Sequence, residues 1–128
     1  MPARLDHTIV GVRDREESAG FLAHVLGLEV GHPLEPFLPV LLDNGVSMDF
    51  LSVSADAVTP QHYAFLVDED EFDGIFARFR ALDRDFWADP HQTQPGVINQ
   101  DWGGRGFYFL DPSGHWLEVL TQPYGAAG

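Results

Sequence analysis

Four ionisable residues fall at matching places in the two halves of this 128-residue chain. His7 and His62, 55 residues apart, each stand near the start of an alternating stretch and share a face with apolar or small neighbours. Near the end of each half comes a carboxylate between bulky apolar residues, Met48-Asp49-Phe50 and Leu117-Glu118-Val119. Burying such a carboxylate is costly unless something satisfies it, and a divalent cation does so. A single strand histidine is ordinarily a hydrogen-bonded core or surface residue. Asp49 alone could cap a turn, and Glu118 alone could pair with Arg105. The equivalence of all four positions is what points to a metal. Two imidazoles with one or two carboxylates favour a borderline cation (Fe, Mn, Co, Ni or Zn) over calcium. With His7, His62 and Glu118, a divalent site keeps positive charge and open positions for an anionic enolate, alkoxide or catecholate. With Asp49 added the site is neutral, and it acts by acidifying bound water or polarising a carbonyl.

Two further residues are candidates for catalysis. Tyr108, in a strand near the second carboxylate, could donate to a developing oxyanion; it could equally be an ordinary packed tyrosine. Arg105, just before that strand, could hold a substrate carboxylate with its two-pronged guanidinium. Its other reading is a surface partner for Asp101 or Asp111. His91 and Trp102 flank an irregular loop and could close over a ligand. His24, His32 and His115 read as structural or solvated.

The elements that must position these groups repeat. Residues 5–12 alternate, with Leu5, His7, Ile9 and Gly11 on one face, which marks a strand. Asp14 is placed to cap a helix carrying Ala19, Leu22, Ala23 and Leu26, with Gly27 as its stop. Residues 62–67 alternate in the same way, and an acidic start at 68–71 leads into the stripe Phe72, Ile75, Phe76, Phe79 and Leu82. The 55-residue offset superposes His7 on His62 and Phe21 on Phe76, the mark of an internal duplication. Shorter strands are expected around 28–30, 40–42 and 47–53, with Asp43-Asn44-Gly45 as a turn. Their counterparts are 86–88, 106–110 and 116–121, with a turn at 111–114. Each half therefore reads strand–helix–strand–strand–strand. The expected fold is α+β, a single domain over 1–128 with modules at about 5–54 and 60–122. The loop 89–104 is long and irregular, as functional loops often are.

Composition narrows the chemistry. Seven positive charges, all arginine, oppose twenty carboxylates, for a net charge of −13. Without lysine there is no Schiff-base chemistry and no Walker-type phosphate lysine. The acidity argues against nucleic-acid or anionic-membrane partners, which need clustered cations. Without cysteine there are no disulfides, thiolate metal sites or thiol nucleophiles. No signal peptide is recognised, and no apolar run approaches the roughly 20 residues that span a bilayer. The expectation is a soluble, cytoplasmic protein.

The chain resembles the vicinal oxygen chelate superfamily, which includes glyoxalase I, fosfomycin- and bleomycin-resistance proteins and extradiol dioxygenases. The likeness covers nearly the whole chain and rests on Leu5-Asp6-His7-Thr8-Ile9-Val10, on residues 21–28 and 61–67, and above all on the run from Tyr108 through Asp111-Pro112-Ser113-Gly114 to Glu118. It implies paired βαβββ modules forming an open, barrel-like cleft, commonly in a homodimer, with a small-molecule substrate. His7, His62 and Glu118 match the family's metal positions, and Asp49 falls where glyoxalase I has a glutamate. The missing lysines count against phosphonate- and glutathione-using members. The dioxygenase pattern fits from Phe107 to Glu118 but lacks its leading histidine. The expected activity is metal-dependent lyase, isomerase or oxygenase chemistry. The alternative is a protein of the same fold that sequesters a ligand without reacting with it.

Overall fold

Alternating side chains decide the first element. In β1 (His7–Val12) Val10 and Val12 are buried while His7 and Ile9 face outward. Asp14 then caps α1 (Arg15–Leu26), its carboxylate accepting the Glu16 and Glu17 N–H groups, and Gly27 ends the helix in the left-handed region (φ 74°). A hairpin follows, β2 (Phe37–Leu41) and β3 (Ser47–Ser52). The second half repeats the plan with β4 (His62–Leu66), α2 (Glu69–Ala81), β5 (Phe86–Trp87), β6 (Gly106–Leu110) and β7 (Trp116–Leu120). The structure, a computed structural model, describes residues 2–125. Its strands form two open sheets rather than a closed barrel, ordered β1-β3-β2 and β4-β7-β6-β5. The chain divides into two compact units at Thr59 and Pro60, within the link between the repeats.

The sheets share one register. β1 runs parallel to β3 with His7 opposite Ser47 and Ile9 opposite Asp49. β4 runs parallel to β7 with His62 opposite Trp116 and Ala64 opposite Glu118. In each module the histidine therefore opens its strand, and the carboxylate lies opposite the residue two further on. Even the hairpin turns match. Gly45 donates to the Leu42 carbonyl and Leu42 to that of Val46, as Gly114 donates to Asp111 and Asp111 to His115. Both turns need a glycine in the left-handed region, at φ 88° and 94°.

One expected strand is missing. Residues 28–30 form only an isolated bridge, Val30 to Val40, with the Gly31 N–H donating to the Pro39 carbonyl at 2.8 Å. A full ladder there would need an N–H from residue 39 in return, and proline has none. In the second module the corresponding residue is Tyr108, which does pair with Trp87, and β5 forms.

The second core is aromatic. Phe72, Phe79, Phe107 and Phe109 are fully buried, and the Phe107 ring lies 5.1–6.0 Å from those of Phe72, Phe76, Phe79, Phe86 and Phe109. Leu82, expected in this stripe, instead ends α2 and is 37% exposed. Because residues alternate, Arg105, Phe107 and Phe109 face α2, and Tyr108 faces the other way.

Arg105 straps β6 to that helix. Its guanidinium donates to Glu69 Oε1 and Asp73 Oδ1, both at 2.8 Å, and lies 4.4 Å from the centre of the Phe72 ring. The Thr121 hydroxyl, which accepts the Arg105 N–H, donates to Glu69. Thr121 and then Arg105 hold the Glu69 carboxyl below its ordinary pKa of 4.5. A lowered carboxylate pKa contributes stability that is present above the unfolded value and lost as pH falls through the folded one. The melting-temperature gap between wild type and Glu69→Gln should accordingly be constant above about pH 5 and close below it. Thermal melts from pH 3 to 7 check this.

Candidate metal centre

The register places the expected ligands as two pairs, one on the outward face of each sheet. In the second module His62 Nε2 lies 3.0 Å from Glu118 Oε1. The imidazole is half exposed and the Glu118 side chain is 11% exposed. The Tyr108 hydroxyl hydrogen-bonds Glu118, and the Tyr108 ring stands edge-on to His62 at 6.0 Å. Burial pushes the phenol well above its ordinary pKa of 10, assisted by the negative charges of Glu118, Asp101 and Asp89. Tyr108 is therefore a neutral donor throughout the physiological range. Its carboxylate partner makes the hydrogen bond charge-assisted, so Tyr108→Phe should cost about 1.5–3 kcal/mol of stability. Urea denaturation at neutral pH measures that loss.

An aromatic wall adjoins this group. Trp87, Tyr108 and Glu118 lie in one cross-strand row, and Trp116 is two residues before Glu118 on the same face. Trp116 stacks on Tyr108 (5.8 Å, 22° between planes) and meets Trp87 at 5.5 Å. The Trp116 indole nitrogen is buried without a hydrogen-bond partner.

The first module holds the other pair in a different setting. His7 Nδ1 lies 2.7 Å from Asp6 Oδ2, and that hydrogen bond raises the His7 pKa above 6.5. Asp49 accepts a 2.6 Å hydrogen bond from Ser47. Ser47 occupies the place of Trp116, and Pro39 that of Tyr108, so this module repeats the histidine and the carboxylate without the aromatic wall or the phenol. Among the described residues no three His, Asp or Glu side chains gather closely enough in one chain to hold a metal. The donor chemistry of each pair, one imidazole nitrogen and one carboxylate, nevertheless fits a borderline divalent ion.

The other candidates are placed elsewhere. Arg105, expected to anchor a substrate carboxylate, faces α2, on the side of β6 opposite Tyr108, and its partners are Glu69 and Asp73 rather than Asp101 or Asp111. The acidic pair Glu69 and Asp73, one helical turn apart, was the signal for this. His91, His24 and His32 are exposed. Trp102 meets Tyr124 edge-on at 5.3 Å, with its backbone in the left-handed region (φ 59°). Sequence reasoning missed Trp87 and Trp116. The position of Trp116, two residues before Glu118 in the same strand, could have revealed it.

Two His–carboxylate pairs at matching register positions on duplicated modules define a class. The sequence model of the Glyoxalase/Bleomycin resistance protein/Dioxygenase superfamily matches residues 4–119, and the chain belongs to that superfamily. Among solved structures it is similar to "Oxidase ChaP-H2", at 55% identity over all of both chains with a TM-score of 0.95. It is also similar to "Oxidase ChaP-H1", at 54% identity over 98% of this chain and 100% of that one, with a TM-score of 0.93. A lactoylglutathione lyase from Agrobacterium tumefaciens, 20% identical over 94% of both chains, shares the fold with a TM-score of 0.69. No curated protein matches. No helix among the described residues is long and apolar enough to cross a membrane.

Proposed function

We propose that this chain is a metal-dependent oxidase acting on a small, flat, oxygen-bearing substrate. The observation that carries this reading is the cluster of His62, Glu118 and Tyr108 beside the Trp87–Trp116 wall. Its support is the similarity to two proteins named oxidases along the full chain. His62 and Glu118, with His7 and Asp49, are the donors to a divalent Fe, Mn, Co, Ni or Zn ion, in a chain that works as a homodimer. Such an ion supplies the positive charge that stabilises an enolate- or phenolate-like substrate.

The chain's own groups do the rest. Tyr108 donates to Glu118 and so holds the carboxylate in place. The indole faces of Trp87 and Trp116 offer a flat ring a stacking surface and exclude water beside the ligands. Arg105 secures β6 to α2 and has no part in the chemistry. The compartment is expected to be the cytoplasm. A second reading, capture of a cationic ligand without reaction, is favoured by the net charge of −13.

Elemental analysis of protein purified without an affinity tag, paired with melting curves, tests the proposal. The expected result is near-stoichiometric metal and a rise in melting temperature on adding Mn, Fe, Co, Ni or Zn. Less than about 0.2 metal per chain with no thermal shift would overturn the oxidase reading in favour of capture. Light scattering checks the homodimer.

A further inference from the structure

His115 is the odd member of the core. It is 2% exposed, among the largest fully buried side chains, and all the others in that group are apolar. Its backbone belongs to the hairpin turn. The His115 carbonyl accepts the Asp111 N–H at 2.9 Å, and its N–H donates to Asp111 Oδ1 at 3.0 Å. Its imidazole does something else. Nδ1 accepts the backbone N–H of Gln61 at 3.0 Å, while the Gln61 carbonyl accepts the N–H of Trp116 at 2.8 Å. Gln61 is therefore held on both sides at the point where β4 begins, and the next residue is His62.

The ladder explains why a side chain is used there. If the parallel β4–β7 pairing continued, the Gln61 N–H would go to the carbonyl of Gly114. Gly114 is instead in the turn, at φ 94°. The imidazole substitutes for the missing ladder acceptor. The first module shows the same frame without the device. Ser47 donates to the Asp6 carbonyl at 3.0 Å, as Trp116 does to Gln61, and the hairpin turns carry the same bonds. The residue equivalent to His115 is Val46, whose side chain accepts nothing. There His7 is held instead through its own ring, by Asp6.

We propose that His115 is a positioning residue for the metal ligand His62. By holding the Gln61 backbone it fixes where the Cα–Cβ bond of His62 points, and so keeps Nε2 over Glu118. The inference rests on the metal reading above in that it takes His62 to be a ligand. It goes beyond that reading by assigning a role to a residue that touches neither metal nor substrate. Only the neutral ring with its proton on Nε2 can accept at Nδ1.

The test compares His115→Asn with His115→Leu. The two replacements have nearly the same size, so both open a similar gap, and both should lower the melting temperature of metal-free protein. Only asparagine offers an oxygen close to the place of Nδ1. Titration with Co²⁺, followed by calorimetry and by the visible spectrum of the bound ion, is the readout. His115→Leu should bind Co²⁺ about 10-fold or more weakly, the usual cost of losing an outer-shell partner, and His115→Asn should stay within about 3-fold of wild type. Equal affinity in the two variants would overturn the proposal.

A second measurement needs no variant that folds poorly. In wild-type protein, nitrogen NMR should show the His115 Nδ1 without a proton and coupled to the Gln61 amide. A ring carrying its proton on Nδ1 overturns the proposal. If wild type takes up no Co²⁺, the metal reading falls, and the clamp is judged separately by amide exchange. Faster exchange at Gln61 and His62 in the leucine variant than in the asparagine variant supports it, and equal rates refute it.

Discussion

Replacing His62 by alanine is expected to abolish most metal uptake while leaving the second module folded. The two parts of this result have separate physical causes. The His62 side chain is 44% exposed and stands on the outward face of an edge strand, so its removal opens no cavity in the core. The melting temperature of metal-free protein should fall by no more than a few degrees, as for surface substitutions that spare buried contacts. Metal affinity has no such reserve. Glu118 would be left with Tyr108 as its polar partner, and a borderline divalent ion would lose an imidazole nitrogen that no neighbouring side chain replaces. Bound metal should drop from near-stoichiometric to below about 0.2 per chain at micromolar total metal. Elemental analysis after gel filtration measures it. Metal content that survives the substitution means the ligands are elsewhere.

The largest expected loss of stability lies on the other side of the same sheet. Phe107→Ala should cost about 3–5 kcal/mol, a sizeable part of the roughly 5–15 kcal/mol that holds a domain together. Phe107 is fully buried, with rings from α2, β5 and β6 packed around it. Truncation leaves those rings facing a void they cannot fill, because each is already fixed against others. For a module of this size that corresponds to a fall in melting temperature of about 12 °C or more. A fall of less than about 5 °C would mean that the aromatic cluster repacks. Comparison with His62→Ala separates the two faces of the sheet: one substitution should empty the site, and the other should melt the module that carries it.

Much of this layout could be read from residue order. Period-two alternation separates His7 from Val10 and Val12, and His62 from Phe65, onto opposite strand faces, because strand geometry leaves no other choice; which face is buried comes from the structure. Asp14 and Gly27 marked the ends of α1 by capping chemistry that is local in sequence. What could not be read depended on partners far along the chain. The strand expected at 28–30 failed because its ladder needed an N–H from Pro39, and that pairing exists only once β2 is in place. Arg105 was judged by its neighbours in the strand, whereas its partners, Glu69 and Asp73, lie on a helix 36 and 32 residues earlier. His115 reads as structural or solvated, because its place at a turn does not tell an inward side chain from an outward one. Its counterpart in the repeat is Val46, an apolar residue, and that was the one clue that the side chain points inward.

Pro39 has a consequence beyond its own hairpin. β2 is an outer strand of its sheet, and outer strands are where one protein molecule can be stitched to the next by backbone pairing. At the middle of this strand the pyrrolidine ring replaces the N–H that such stitching would require, and the remaining carbonyl is already taken by Gly31. Growth of that sheet by addition of a foreign strand is therefore blocked covalently at its central row, whatever the salt or pH. Exchanging Pro39 for an ordinary residue would return an N–H to that row and lift the block.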